Sequence, residues 1–70
     1  MAKFTVNAYG QWEDPSTVLG MPTNARSAET LARRLFGSNA LVTHHTKPSL
    51  RMEWWEVTVG NNFVADILPD

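Results

Sequence analysis

The fold depends on the stretch LRMEWWEVTV at positions 50–59, which predicts the longest and central strand of a sheet. Successive side chains of a strand point to opposite faces, so Trp55, Val57 and Val59 share one face. We assign this face to the core because it ends in an unbroken apolar series, and because one helix covers only one side of a sheet. The residues that then lie on the other, open face are Leu50, Met52 and Trp54.

Turn signals on both sides of this stretch indicate an antiparallel meander. Lys47-Pro48-Ser49 predicts a turn after a strand at residues 40–46, which are rich in β-branched side chains. Gly60-Asn61-Asn62 predicts a tight hairpin before a last strand at residues 63–68, because glycine and asparagine tolerate positive φ. Links this short place consecutive strands side by side.

The N-terminal part predicts two further strands. Residues 3–9 alternate between apolar and polar side chains, which indicates a half-buried strand. Glu13-Asp14-Pro15-Ser16 predicts a turn, after which residues 17–19 form a short strand. Gly20 and Pro22 limit the length of that strand, which suits the edge of a sheet.

A short helix is predicted between the two groups of strands. The apolar residues with the i, i+3, i+4, i+7 spacing of one helical face are Ala28, Leu31, Ala32 and Leu35. Ser27 is the expected N-cap and Gly37 the expected terminator. The polar side of the helix carries a basic group, which consists of Arg26, Arg33 and Arg34.

Together these elements predict an α+β fold in a single small domain over residues 1–70. Its order is ββαβββ, an antiparallel four- or five-stranded meander sheet with one amphipathic helix packed on one face. A helix this short is marginal alone, so it must dock on the sheet to be stable.

Composition argues against several functional classes. The formal net charge is −1, whereas proteins dedicated to duplex nucleic acid are strongly basic, because phosphate neutralisation drives their affinity. The chain has no cysteine, which rules out disulfides, thiolate zinc sites and cysteine nucleophiles. With no signal-like N-terminus and no apolar stretch near 18 residues, we expect a soluble cytoplasmic protein without membrane contact.

The residues that usually perform chemistry are not grouped in this sequence. His44 and His45 are adjacent in a predicted strand and therefore point to opposite faces, which prevents both from binding one metal. Glu53 and Glu56 are separated in the same way, so they make no acid–base pair. Hydrolase, phosphate-loop and dinucleotide motifs do not occur. We therefore expect no catalysis, no metal and no cofactor.

The predicted binding surface is the open face of the long strand. Exposed apolar patches often mark interaction sites, and tryptophan and tyrosine are frequent anchors in protein interfaces. The residues assigned to this surface are Leu50, Met52 and Trp54, bordered by Tyr9 and Trp12. The basic helix side of Arg26, Arg33 and Arg34 is a second candidate.

Two alternatives to this surface stay open at the level of sequence. Trp54 could belong to the core, covered by the loop at residues 10–22. The two faces could also be reversed, which would expose Trp55 instead.

These features favour a non-enzymatic protein-binding module, whose partner is a larger protein or a second copy in a homodimer. The predicted layout is similar to that of many small phage or mobile-element inhibitors, including several anti-CRISPR proteins. This likeness concerns the predicted fold and size alone, since no motif in the chain carries it.

Two other functions are weighed against protein binding. One is weak single-stranded nucleic-acid binding, because aromatic side chains on an open sheet can stack bases. Against it, acidic residues in the aromatic segments repel phosphates. The other is a structural subunit with no exposed site.

Overall fold

A computed structural model of the protein describes residues 2–9 and 22–69. The elements are β1 (Ala2–Ala8), β2 (Pro22–Ala25), α1 (Ala28–Phe36), β3 (Leu41–Lys47), β4 (Met52–Val59) and β5 (Asn62–Pro69), with a 3₁₀ turn at Pro48–Leu50 between β3 and β4.

The described strands form one five-stranded antiparallel sheet in the order β2-β1-β5-β4-β3. Strands β3, β4 and β5 are a meander, and β1 continues the sheet by pairing with β5 on one side and β2 on the other. The helix packs across one face of this sheet. The predicted α+β class, an antiparallel sheet with one helix, is confirmed.

The prediction for the long strand is wrong in two respects. The central strand is β5 rather than β4, because the N-terminal strand adds to the free edge of β5. Strand β4 begins at Met52, since Pro48 opens a 3₁₀ turn and Arg51 then adopts a left-handed φ of 51°. Leu50 therefore lies in this turn, 63% exposed, and not on the open face.

The second strand also differs from expectation. Among the described residues, Pro22 begins β2, which suits proline at the first position of an edge strand. The predicted turn at residues 13–16, the predicted strand at residues 17–19 and Trp12 lie outside the described residues.

The hydrophobic core lies between α1 and the sheet face towards it. Val6 of β1, Val57 of β4 and Ile67 of β5 are fully buried there. Trp55 packs against the same core, with its ring edge-on to Phe4 at a centroid distance of 5.8 Å. The face assigned to the core from the alternation of β4 is therefore correct.

The helix has both predicted caps, and its buried residues nearly match the predicted apolar set. The Ser27 hydroxyl oxygen accepts a hydrogen bond from the Thr30 amide at 3.2 Å. The Gly37 amide donates to the Arg33 carbonyl at 3.0 Å, and its φ of 99° is one that favours glycine. The buried residues are Ala28, Leu31, Ala32 and Phe36, while Leu35 packs at the margin of the core.

A β-bulge in β5 interrupts the alternation of buried and exposed side chains. Val57 pairs with Ala65 and Thr58 pairs with Phe63, so Val64 is one extra residue on β5. Val64 and Ala65 are consecutive and both fully buried. The bulge thereby turns Phe63 to the face opposite the helix.

The difference between Leu31 and Leu35 gives a test of this packing. Leu31→Ala removes a fully buried side chain, and we expect it to lower the free energy of unfolding by about 2–5 kcal/mol. Leu35→Ala is the matched control and should lower the free energy of unfolding clearly less, because Leu35 is only half-buried. Urea unfolding followed by circular dichroism measures both, and equal losses would contradict the helix orientation.

Candidate functional site

The sheet face opposite α1, here called the open face, collects side chains from β1, β4 and β5. The cross-strand pairs of Asn7 with Asp66, Glu56 with Asp66 and Thr58 with Phe63 fix which residues share it. Its principal residues are Asn7, Tyr9, Met52, Trp54, Glu56, Phe63, Asp66 and Leu68. Met52, Trp54 and Tyr9 were predicted to lie together, and the structure places them on this one face.

A shallow depression lies near the centre of the open face. Its volume is about 230 Å³, and its lining is mainly apolar. The lining residues are Asn7, Met52, Trp54, Asp66 and Leu68. Met52 is 47% exposed, whereas Trp54 is half-buried. The depression presents an indole and a thioether beside one carboxylate.

An aromatic pair stands at one end of the open face. The rings of Tyr9 and Phe63 lie 5.2 Å apart at an angle of 32° and are 42% and 45% exposed. The Tyr9 amide donates a hydrogen bond to the Val64 carbonyl at 2.8 Å, which holds the end of β1 to the bulge. Phe63 was not predicted as a surface residue, because strict alternation does not reveal the bulge.

Two carboxylates face each other in the middle of the open face. Glu56 on β4 is directly opposite Asp66 on β5, and like charges in this position are unfavourable. The Tyr9 hydroxyl donates a hydrogen bond to Asp66 Oδ2 at 3.1 Å. Glu56 Oε2 lies 3.7 Å from His45 Nε2, which is too long for a hydrogen bond. This pair makes the centre of the face acidic.

The two adjacent histidines of β3 each stack on one tryptophan of β4. His45 lies on Trp54 with ring centroids 5.2 Å apart, and His44 lies on Trp55 at 4.8 Å. His44 Nε2 is also 3.3 Å from Glu53 Oε2. The histidines therefore point to opposite faces, as predicted. Each histidine ring restrains the orientation of one indole ring by stacking on it.

The Tyr9 phenol has a raised pKa. The first cause is partial burial, and the Asp66 carboxylate adds to it through its hydrogen bond and its negative charge. All three favour the neutral phenol, which donates a hydrogen bond that the phenolate cannot donate. The contact therefore contributes stability below about pH 10, and this contribution is lost as the pH rises through the raised pKa.

The basic helix side lies away from the open face. Arg26, Arg33 and Arg34 are exposed on the other side of the sheet. Arg34 Nη1 donates a hydrogen bond to the Asn24 carbonyl at 3.3 Å, which joins α1 to the edge strand β2. The two predicted surfaces are therefore separate sites and do not merge.

The described part of the chain shows neither a metal cluster nor a membrane-spanning helix. No group of three or more His, Asp or Glu side chains in residues 2–9 and 22–69 is placed to hold a metal ion. Over the same residues, no helix has the length and apolarity to cross a membrane. Comparison with protein-family models, curated proteins and solved structures finds no match.

The single tyrosine of the chain makes its titration directly measurable. We expect the absorbance change of the Tyr9 phenolate to have its midpoint above the ordinary value of about 10. Asp66→Asn should lower this midpoint part of the way back, because burial remains while the negative charge is removed. Circular dichroism at each pH confirms that the chain stays folded, and an unchanged midpoint in the variant would contradict the Tyr9–Asp66 contact.

Proposed function

We propose that the protein is a non-catalytic binding module that engages a larger protein through its open face. The main support is the depression lined by Trp54 and Met52, together with the exposed rings of Tyr9 and Phe63 at one end of the same face. Partly exposed aromatic and thioether side chains around a concave centre are typical of interface anchors.

The charge of the open face indicates the chemistry of its partner. Glu56 and Asp66 are paired across the strands, and within the described residues neither forms an ion pair with a lysine or arginine. A lysine or arginine from a partner would relieve their repulsion, and the Trp54 ring beside them can hold the cation over its face. We therefore favour a protein partner with a basic group set among apolar side chains.

The same carboxylates reduce the support for nucleic-acid binding. A base stacked on Trp54 would bring its phosphates towards Glu56 and Asp66, which repel them. The arginines of α1 lie on the other side of the sheet and do not offset this repulsion. Single-stranded nucleic acid remains the alternative function, with less support from the arrangement of charges.

Inhibition is one form that such binding can take. A small domain that covers the functional surface of its target blocks it without any chemistry of its own. The likeness to small phage or mobile-element inhibitors fits this proposal only as an analogy of fold and size. The absence of cysteine agrees with a partner in a reducing compartment such as the cytoplasm.

Replacement of Trp54 tests the proposed surface. We expect Trp54→Ala to reduce capture of the partner from a lysate of the source cells at least tenfold. Truncation of a central aromatic anchor removes a large part of the binding free energy. Its melting temperature should fall by only a few degrees, since Trp54 lies on the open face and does not pack against the hydrophobic core.

Two matched variants separate binding from folding in this experiment. Trp55→Ala truncates the neighbouring indole, which packs on the core, and should mainly lower the melting temperature. Arg34→Ala changes the helix side and should leave capture intact. A large loss of stability in Trp54→Ala, or capture by it equal to that of the unmodified protein, would count against the open face.

The nucleic-acid alternative has its own test. We expect a single-stranded oligonucleotide to leave the tryptophan fluorescence unchanged at low salt, because the acidic pair repels the phosphate backbone. Fluorescence quenching that added salt reverses would instead support nucleic-acid binding. Iodide quenching of the free protein provides the control, since it reports whether an indole is accessible at all.

A further inference from the structure

Strand β3 forms one edge of the sheet along its whole length. All seven of its residues pair with β4. Among the described residues β3 has no strand on its outer side, so the backbone amides and carbonyls directed outwards there have no strand partner. An unpaired edge of this kind is a template for another strand.

The usual protections of an edge strand are weak in β3. Proteins shield edges with short strands, prolines, bulges and charged side chains. Strand β3 runs without a register shift, has no proline, and carries its one fixed charge at its end, on Lys47. The opposite edge, β2, is only four residues long and begins with proline. The two edges therefore differ, and β3 is the one suited to pairing.

Strand β3 can form a symmetric antiparallel pair with the same strand of a second copy. In an antiparallel pair centred on His44, the residues of the two copies match by position along the strand. Leu41 then faces Lys47 of the other copy, Val42 faces Thr46, Thr43 faces His45, and His44 faces His44. All seven residues find a partner in this register, and each pair lies on one face of the sheet, as strand pairing requires.

Charge does not oppose this arrangement. The two Lys47 side chains end up six residues apart along the pair, which is about 20 Å at the rise of a strand. That exceeds the screening length of about 8 Å at physiological salt. Each Lys47 instead lies opposite Leu41, whose side chain is 62% exposed in the single chain.

We propose that β3 pairs antiparallel with β3 of a second copy, about a two-fold axis at His44, and joins the two sheets into one. Both helices then lie on the same side, and the two open faces continue into each other. This surface is distinct from the depression at Trp54, so the proposal does not depend on the proposed function. A strand pair of this length buries less than a standard interface, so the dimer should have a dissociation constant of about micromolar or weaker.

Charge changes at Leu41 test both the dimer and its register. Leu41→Glu places a carboxylate opposite Lys47 of the second copy twice per dimer, and should tighten the dissociation constant by roughly three- to tenfold. Leu41→Lys places two lysines opposite each other and should weaken it by a similar factor. Within one chain the two positions are about 20 Å apart, so neither change should alter the monomer. Sedimentation velocity over a concentration series measures the constants.

A second pair of variants places the two-fold axis. His44→Lys brings two like charges face to face at the axis and should weaken the dimer by roughly two- to fivefold, less than Leu41→Lys, because one like-charged pair forms instead of two. Glu53 remains beside the new lysine. Thr46→Lys adds the same charge on the same side of the strand. In the proposed register the new lysine lies opposite Val42 of the other copy, so this variant should still dimerise. Circular dichroism of both variants checks that the monomer is folded. Phe63→Ala, on the open face, should keep the dimer and so separates this surface from the one proposed for the larger partner.

The sedimentation results either support or overturn pairing through β3. A concentration-dependent dimer with opposite effects of the two Leu41 variants, and with a weaker dissociation constant in His44→Lys than in Thr46→Lys, supports the proposal. A protein that stays monomeric up to millimolar concentration overturns it and leaves the β3 edge to an extended strand of another protein. A dimer that responds equally to His44→Lys and Thr46→Lys, or not at all to the Leu41 changes, forms elsewhere on the molecule and also overturns it.

Discussion

Burial against α1 is available to only one face of the sheet, and this constraint organises the rest of the molecule. Leu31 and Phe36 of the helix meet Val6, Val57 and Ile67 from three strands and complete the core on that side. The opposite face is stabilised by contacts within the sheet itself, namely the stack of His45 on Trp54 and the pair of Tyr9 with Phe63. Cross-strand ring contacts of this kind contribute to sheet stability, and the partial exposure of these side chains creates the candidate site.

The bulge at Val64 decides what the open face contains. Without the extra residue, the alternation of β5 would direct Phe63 towards the helix and Val64 away from it. With the extra residue, the Val64 side chain enters the core and the Phe63 ring lies on the open face beside Tyr9. The hydrogen bond from the Tyr9 amide to the Val64 carbonyl fixes this arrangement. One local irregularity thus links core packing to the composition of the surface.

Local patterns predicted the parts of this structure that are set by local physics. The helix with its Ser27 and Gly37 caps, and the buried side of β4, follow from spacing and alternation. The position of β5 at the centre depends on the pairing of β5 with the N-terminal strand β1. The opposition of Glu56 to Asp66 depends on the bulge at Val64, which shifts the register of the β4–β5 hairpin by one residue. The alternation within a single strand reveals neither feature, because the first is a contact between segments distant in sequence and the second is a local departure from alternation. Leu50 was misplaced for a local reason, since Pro48 favoured one more turn before β4.

The paired histidines and tryptophans connect the two surfaces of the molecule. The segment Thr-His-His-Thr at residues 43–46 faces Glu-Trp-Trp-Glu at residues 53–56, and each sequence reads the same in both directions. This symmetry lets one pair of strands fix an indole in the core and another on the open face by the same contact. His45 belongs to the edge strand and its ring stacks on Trp54. A strand that paired with β3 would therefore lie beside the residue that holds the Trp54 indole on the open face.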